Sequence, residues 1–335
     1  MKRKTFDLEE ERLRDEIIKR EAERVVIQLP EGLKAEGPRL ASIVEKAGSL
    51  AIISADPCYG ACDLALSEAE SLGADLIVHY GHSQMMEQEA VSTIYMEARA
   101  KVSIKEPLKK AIPLLEPWTR IGLVTTVQHI NELEEAKEFL LAAGKTVAVG
   151  DAGKAKHAGQ VLGCDYSNAK SVSADVEAFL FVGGGRFHAL GVALATGKPA
   201  IIADPYERRA YPIQSETREI IKQRWACIYE AKKAEKFGVL IGLKGGQKRI
   251  AEALEIKEKL EKSGKKATLL ALKEIIPATL MQFPSIEAFV DTACPRLALD
   301  STSRFLKPVL TSTEALVVLG EMDWEDLCRR GWFES

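Results

Sequence analysis

Apolar residues recur along the chain in short unbroken runs, each followed by a glycine-bearing or polar turn and then by apolar positions spaced three and four apart. That alternation of a continuous run with a 3.6-residue period predicts a strand, a turn and an amphipathic helix. It occurs three times. The first copy places strands at Val25–Leu29, Leu50–Ser54 and Leu76–His79 with a helix over Glu36–Ala47. The second gives strands at Ile121–Thr125, Thr146–Val149 and Ala178–Val182 with a helix over Ile130–Ala143. In the third, strands fall at Gly238–Leu243, Ala267–Leu272 and Ala288–Val290, with a helix over Gln247–Ser263. Strand, helix and strand in succession imply parallel βαβ units and an α/β fold. Ahead of the first copy, Asp7–Arg24 interleaves acids and bases at helical spacing, as in Glu16 and Arg20, and reads as a solvated helix.

Two segments break the pattern. Glu106–Pro117 carries Pro107, Pro113 and Pro117, a composition that interrupts regular structure, and Asp204–Pro212 leads into a charged helix over about Ser215–Lys236. Taken as joints, they divide the 335 residues into three small α/β domains, 1–110, 111–212 and 213–335.

Composition narrows the function. A net charge of −3 argues against bulk nucleic acid as the main partner, because neutralising phosphates requires a basic excess. Met1–Arg24 is charged throughout and lacks the apolar stretch of a secretion signal, and no run is long enough to span a bilayer, so a cytoplasmic protein with no membrane partner is expected. Six cysteines in that compartment imply buried thiols or metal ligands, not disulfides.

In open parallel sheets ligands gather beyond the carboxyl ends of strands. Cys58 and Cys62 follow the first copy's second strand, Cys164 lies downstream of Val149, and Cys294 follows Val290. A free cysteine is usually a small buried hydrophobe. Three at comparable positions, flanked by Gly, Asp, Tyr, Pro and Arg, point instead to a shared metal centre. Pro295 suits a first helical turn, so Cys294, and likewise Cys62, is expected to open a helix. Three thiolates suit zinc or iron–sulfur. Structural zinc favours four closed ligands, often with a CxxC pair that is absent here, whereas a cubane on three thiolates leaves one iron open for substrate. Cys227 and Cys328 lie in helical patterns and read as packing residues.

His79 and His82 end a strand and either bind substrate or hydrogen-bond within a loop; His188 follows the glycine run Gly183–Gly185. Lys244-Gly-Gly-Gln247 is a glycine turn without a complete nucleotide-binding pattern. Gly245, Gly246 and Gln247, at the expected helix start, are candidates to receive a ligand carboxylate. Arg296 is a second candidate through its planar fork, its alternative being a surface ion pair with Asp300. Trp324, Trp332 and Phe333 offer either an interface or core packing.

Gln28-Leu-Pro-Glu-Gly-Leu33, Tyr59-Gly-Ala-Cys62, His79-Tyr-Gly-His-Ser83, Gly184-Gly-Arg-Phe-His188, Asp204-Pro-Tyr206 and Ala293-Cys-Pro-Arg-Leu297 together resemble diphthamide synthase, in its archaeal form. The resemblance runs in order from about residue 25 to 305. It implies a pseudo-threefold set of related domains, each giving one cysteine, Cys62, Cys164 or Cys294, to a 4Fe-4S cluster. Cys58 competes with Cys62, but the matching core is Tyr-Gly-Ala-Cys62. The implied activity is a non-classical radical S-adenosylmethionine reaction, the first step of diphthamide biosynthesis. It moves a 3-amino-3-carboxypropyl group to the imidazole C2 of a histidine of translation elongation factor 2. An unidentified reductant and a homodimer are implied as partners. Quinolinate synthase, an iron–sulfur dehydratase, resembles the same coarse pattern, and a non-catalytic cluster scaffold is a third reading; the six motifs favour the first.

Overall fold

The computed structural model describes residues 5–85, 90–300 and 305–333. Its elements in the first third are β1 (Phe6–Asp7), α1 (Glu10–Arg20), β2 (Arg24–Gln28), α2 (Gly37–Lys46), β3 (Leu50–Ile53), α3 (Leu66–Leu72), β4 (Leu76–Tyr80), β5 (Ser92–Met96) and β6 (Arg99–Ala100). The middle third holds α4 (Lys105–Leu114), β7 (Arg120–Thr125), α5 (Leu133–Ala142), β8 (Thr146–Ala148), α6 (Ser167–Val172), β9 (Ala178–Val182), α7 (Phe187–Thr196), β10 (Ala200–Asp204) and β11 (Arg209–Pro212). The last third holds α8 (Gln214–Ala231), β12 (Lys236–Gly242), α9 (Ile250–Lys262), β13 (Lys266–Leu272), α10 (Pro277–Leu280), β14 (Ala288–Asp291), α11 (Pro295–Asp300), β15 (Val309–Thr311), α12 (Ser312–Leu319) and α13 (Trp324–Arg330).

Three sheets result, with strand orders β3-β2-β4-β5, β8-β7-β9-β10-β11 and β13-β12-β14-β15. In each, the first strand of the repeat lies between the second and the third, and these strands run parallel. The unbroken apolar runs have a physical cause: Val25–Ile27, Ala178–Val182 and Val239–Leu240 are buried, because helices cover both faces of a parallel sheet. A separate two-stranded antiparallel sheet pairs β1 with β6. Among the described residues, no helix is long and apolar enough to cross a membrane.

The first proline-rich joint is helical. α4 runs through it because Pro107 sits in the first turn, where its missing N–H costs nothing, and Pro113 comes one residue before the end. Ile104, Leu108, Ala111 and Leu115 pack with Leu180 and Ile201 of the middle sheet, so α4, which spans residue 110, rests on that sheet. Asp204–Pro212 is likewise ordered: β11 folds back antiparallel on β10, pairing Ala203 with Ala210.

A large core lies between the middle and last sheets, where Phe179, Phe181, Val239 and Val290 meet α7, α8, α12 and α13. Trp332 and Phe333 are buried there, which makes them core residues and not an interface. Arg224 and Glu314 form a fully buried ion pair in the same region, satisfied by the carbonyls of Ala298 and Val309 and by the Trp332 indole N–H. Such a pair survives burial only when its remaining donors and acceptors are all met.

Candidate functional site, a cysteine-lined cavity between three sheets

The loops after the first, second and third strands of every sheet converge on one cavity of about 700 Å³. From the first sheet come Gly32 and Leu33, then Tyr59–Cys62, then Gly81–Ser83. The middle sheet contributes Thr126–Gln128, Gln160–Cys164 and Phe187–His188. The last adds Lys244 and Gln247, Lys273–Pro277, and Cys294 with Arg296 and Leu297. Convergence at carboxyl ends of strands is the general ligand position of such sheets. Here three sheets aim at the same space.

Cys62, Cys164 and Cys294 all line this cavity. Their topological positions differ from the expectation in one respect. Cys62 and Cys164 sit in the connection from second to third strand, whereas Cys294 follows the third strand, β14. Cys294 directly precedes α11, as Pro295 predicts, but Cys62 lies in a turn ahead of α3 and opens no helix. Burial pushes the Cys164 thiol up to about 11 and that of Cys294 up to about 12, with negative neighbours, the other cavity cysteines among them, adding to the rise. Burial likewise raises Cys62, against a hydrogen bond from Gln247 that lowers it. Three thiolates together would repel one another without a cation between them.

The Gly245–Gln247 segment is a single 3₁₀ turn, and α9 starts only at Ile250. The helix N-terminus expected at Gln247 is therefore displaced. What the turn does is press against Cys62. The Gly246 N–H donates to the Cys62 carbonyl at 2.9 Å, and Gln247 Nε2 donates to Cys62 Sγ at 3.5 Å. A Cβ on Gly246 would stand 2.6 Å from the Cys62 Cα, so only glycine allows this approach. Gln247 lines the cavity; Gly245 and Gly246 lie behind it.

Arg296 is buried, so the expected surface ion pair is an interior one. Nη2 reaches Asp300 at 2.8 Å and the Phe187 carbonyl at 2.9 Å, and the guanidinium stacks 3.7 Å above the Phe187 ring. Among the described residues its Nη1 has no partner, although it is buried on the cavity wall. An unmet charged donor in such a place is a ready anchor for an anion. His188 lines the same wall, stacked on Phe181, and burial together with Arg296 holds its pKa down at about 3. Tyr59 and Lys244 mark the mouth: the ammonium lies 4.3 Å from the ring centroid and bonds Asp63 at 2.8 Å and Glu274 at 2.6 Å, tying the first sheet's loop to the last sheet's.

His79 and His82 are hydrogen-bonded to each other at 2.9 Å, and of these two His82 alone lines the cavity. Cys58 does not line it, and Cys227 and Cys328 lie on α8 and α13. Gln28, Phe187 and Lys244 stand in segments singled out in the sequence, Gln28-Leu-Pro-Glu-Gly-Leu33, Gly184-Gly-Arg-Phe-His188 and Lys244-Gly-Gly-Gln247, but none of the three was assigned a site role there.

The family model described as "Putative diphthamide synthesis protein" matches residues 29–328. The 2-(3-amino-3-carboxypropyl)histidine synthase of Pyrococcus horikoshii is 42% identical over 301 residues, 89% of this chain and 86% of the relative. Subunit 1 of the human enzyme of that name is 31% identical over 313 residues, 91% of this chain and 70% of the relative. The crystal structure of Dph2 from Pyrococcus horikoshii with a 4Fe-4S cluster superposes with a TM-score of 0.87 at 40% identity, covering 95% of this chain and 92% of that one. Motifs, sheet order and these matches agree, and the chain belongs to the diphthamide synthesis protein family.

Proposed function

We propose that this chain is a 2-(3-amino-3-carboxypropyl)histidine synthase, which transfers the 3-amino-3-carboxypropyl group of S-adenosylmethionine to the C2 carbon of a histidine imidazole on translation elongation factor 2. The observation that carries the reading is the presence of one cysteine from each of three sheets on the wall of one cavity, in a chain of this family. Three soft sulfur donors with no hard oxygen ligand of their own suit a 4Fe-4S cluster held by Cys62, Cys164 and Cys294. When bound, the cluster supplies an electron and an open iron that make cleavage of the sulfonium Cγ–S bond possible, with methylthioadenosine as the other product.

The remaining roles belong to side chains. Arg296 holds the amino-acid carboxylate through its free Nη1, and Phe187 and Asp300 keep the fork from turning. Gln247, set by Gly245 and Gly246, orients Cys62 and faces the substrate. Fixing one end of the substrate selects which of three C–S bonds is presented. His188, neutral at physiological pH, adds no competing positive charge beside the sulfonium.

Three related units, drawn at 1–110, 111–212 and 213–335 with α4 bridging the first joint, surround the cavity in a pseudo-threefold arrangement. The enzyme works in the cytoplasm as a homodimer, with an electron donor as its further partner. Anaerobic reconstitution, reduction, and addition of S-adenosylmethionine and elongation factor 2 test the reading. Mass spectrometry should find one aminocarboxypropyl group on a histidine, with methylthioadenosine released. Quinolinate formation, or a brown protein that cleaves nothing, would refute it.

A further inference from the structure

Among the described residues, one cluster of metal-binding side chains has no role in the reading above. Cys58, His79 and His82 place one donor atom each within 4.8 Å of the others, next to the cavity. We propose that these three residues form a second metal site, for a single divalent cation of the zinc class.

The local backbone is built to bring them together. His79 is the next-to-last residue of β4, fully buried, and the chain reverses after it at Gly81, whose φ of +83° favours glycine. The reversal returns the His82 ring to His79, with Nε2 of His79 and Nδ1 of His82 2.9 Å apart. A tetrahedral zinc with bonds of about 2.0–2.1 Å to nitrogen and about 2.3 Å to sulfur needs separations of roughly 3.3 Å between nitrogens and 3.6 Å from nitrogen to sulfur. The pair therefore opens by about 0.4 Å to admit the ion, a small rotation of two rings.

The tautomer of His79 is fixed from behind. Gln28 Nε2 donates to the Asp63 carbonyl at 2.6 Å, and Gln28 Oε1 accepts from the Ala65 N–H at 3.1 Å. Both partners are backbone groups of unambiguous character, so the amide can face only one way. Its oxygen lies 2.8 Å from His79 Nδ1, which must carry the proton. Nε2 of His79 is left with a free lone pair aimed at His82. An outer acceptor that orients a ligating imidazole in this manner is a recurring feature of metal sites.

Burial holds the His79 pKa well below its ordinary value and that of His82 down at about 4, so both rings are neutral and fit to ligate. Burial also keeps the Cys58 thiol protonated, pushed up to about 12, and the incoming cation releases that proton. Two imidazoles and a thiolate exclude magnesium and calcium, which require oxygen ligands, and three protein donors leave a fourth coordination position. Cys58 shares its turn with Cys62, so an ion here would pin that turn to the end of β4. The competing arrangement is a metal-free histidine pair, in which His82 Nδ1–H donates to His79.

The test uses the full chain, anaerobically reconstituted with iron and sulfide. It is incubated with zinc chloride, freed of unbound metal, and analysed for iron and zinc and by zinc K-edge absorption spectroscopy. The expected result is one zinc per chain added to an unchanged iron content, with one sulfur at about 2.3 Å and two nitrogens at about 2.0–2.1 Å. Cys58→Ala, and independently His82→Gln, should lower bound zinc at least tenfold while iron is retained. The proposal is overturned if zinc displaces iron, if the spectrum shows only oxygen neighbours, or if wild-type zinc does not exceed that of Cys58→Ala.

Discussion

Gly246→Ala places the smallest possible addition against a cavity cysteine. The new methyl would stand 2.6 Å from Cα, 2.7 Å from Cβ and 3.1 Å from the carbonyl oxygen of Cys62. None of these is the yielding tip of a side chain, so either the 3₁₀ turn or the Cys62 backbone must retreat by roughly 1 Å, an overpacking cost of about 1–3 kcal/mol. Gly246 does not have a positive φ, so the cost comes from contact and not from an alanine's backbone preference. At about 2–4 °C per kcal/mol for domains of 150–250 residues, the melting temperature should fall by several degrees. Metal ligands tolerate only about 0.2 Å of misplacement, several-fold less than this retreat. Iron content after anaerobic reconstitution should therefore drop at least twofold. Gly32→Ala is the matched control, since its methyl meets nothing within 4 Å. Iron and melting temperature both unchanged in Gly246→Ala would show that the turn does not fix Cys62, and the assignment of this wall would lose its support.

Replacing Cys62, Cys164 or Cys294 singly with Ala should abolish the brown chromophore, while Cys227→Ala and Cys328→Ala should keep it; visible absorption after anaerobic reconstitution decides. Arg296→Lys retains the charge but loses the fork, and should lower kcat/KM for S-adenosylmethionine at least tenfold, mainly through KM, measured as methylthioadenosine release. Glu97 tests a contact across the first and middle sheets. Burial alone would raise its pKa, but hydrogen bonds from Lys156 and Arg99 outweigh that and lower it. A lowered acid stabilises the fold above its unfolded pKa, near 4.5, and loses that stabilisation as pH falls through the folded value. Glu97→Gln should therefore cost about 1 kcal/mol at pH 7 and distinctly less at pH 3 in denaturant titrations. An equal loss at both pH values would remove the electrostatic explanation.

Much of the architecture was legible because burial on both faces writes itself into the chain. Val25–Ile27, Ala178–Val182 and Ala288–Val290 are apolar without interruption for the same reason that they become central strands. The rule that ligands gather at the carboxyl ends of strands reduced six cysteines to Cys58, Cys62, Cys164 and Cys294, and the family resemblance of Tyr59-Gly-Ala-Cys62 then chose between the first two. Prolines misled where their cost depends on position: Pro107 reads as a breaker, yet in a first helical turn it forfeits no bond. The start of α9 was placed three residues early because a 3₁₀ turn and a helical turn share nearly the same apolar spacing.

By itself, the sequence determined the three strand and helix repeats, the family, and the cysteines that face the cavity, since each depends on local periodicity or on residues adjacent in the chain. Only the tertiary structure decided that Arg296 is interior with an Nη1 unmet among the described residues, that Gly246 touches Cys62, and that Cys58 stands beside His79 and His82. These facts depend on contacts between residues tens to hundreds of positions apart. Such contacts arise from how sheets pack against one another, and no local pattern in the chain encodes them.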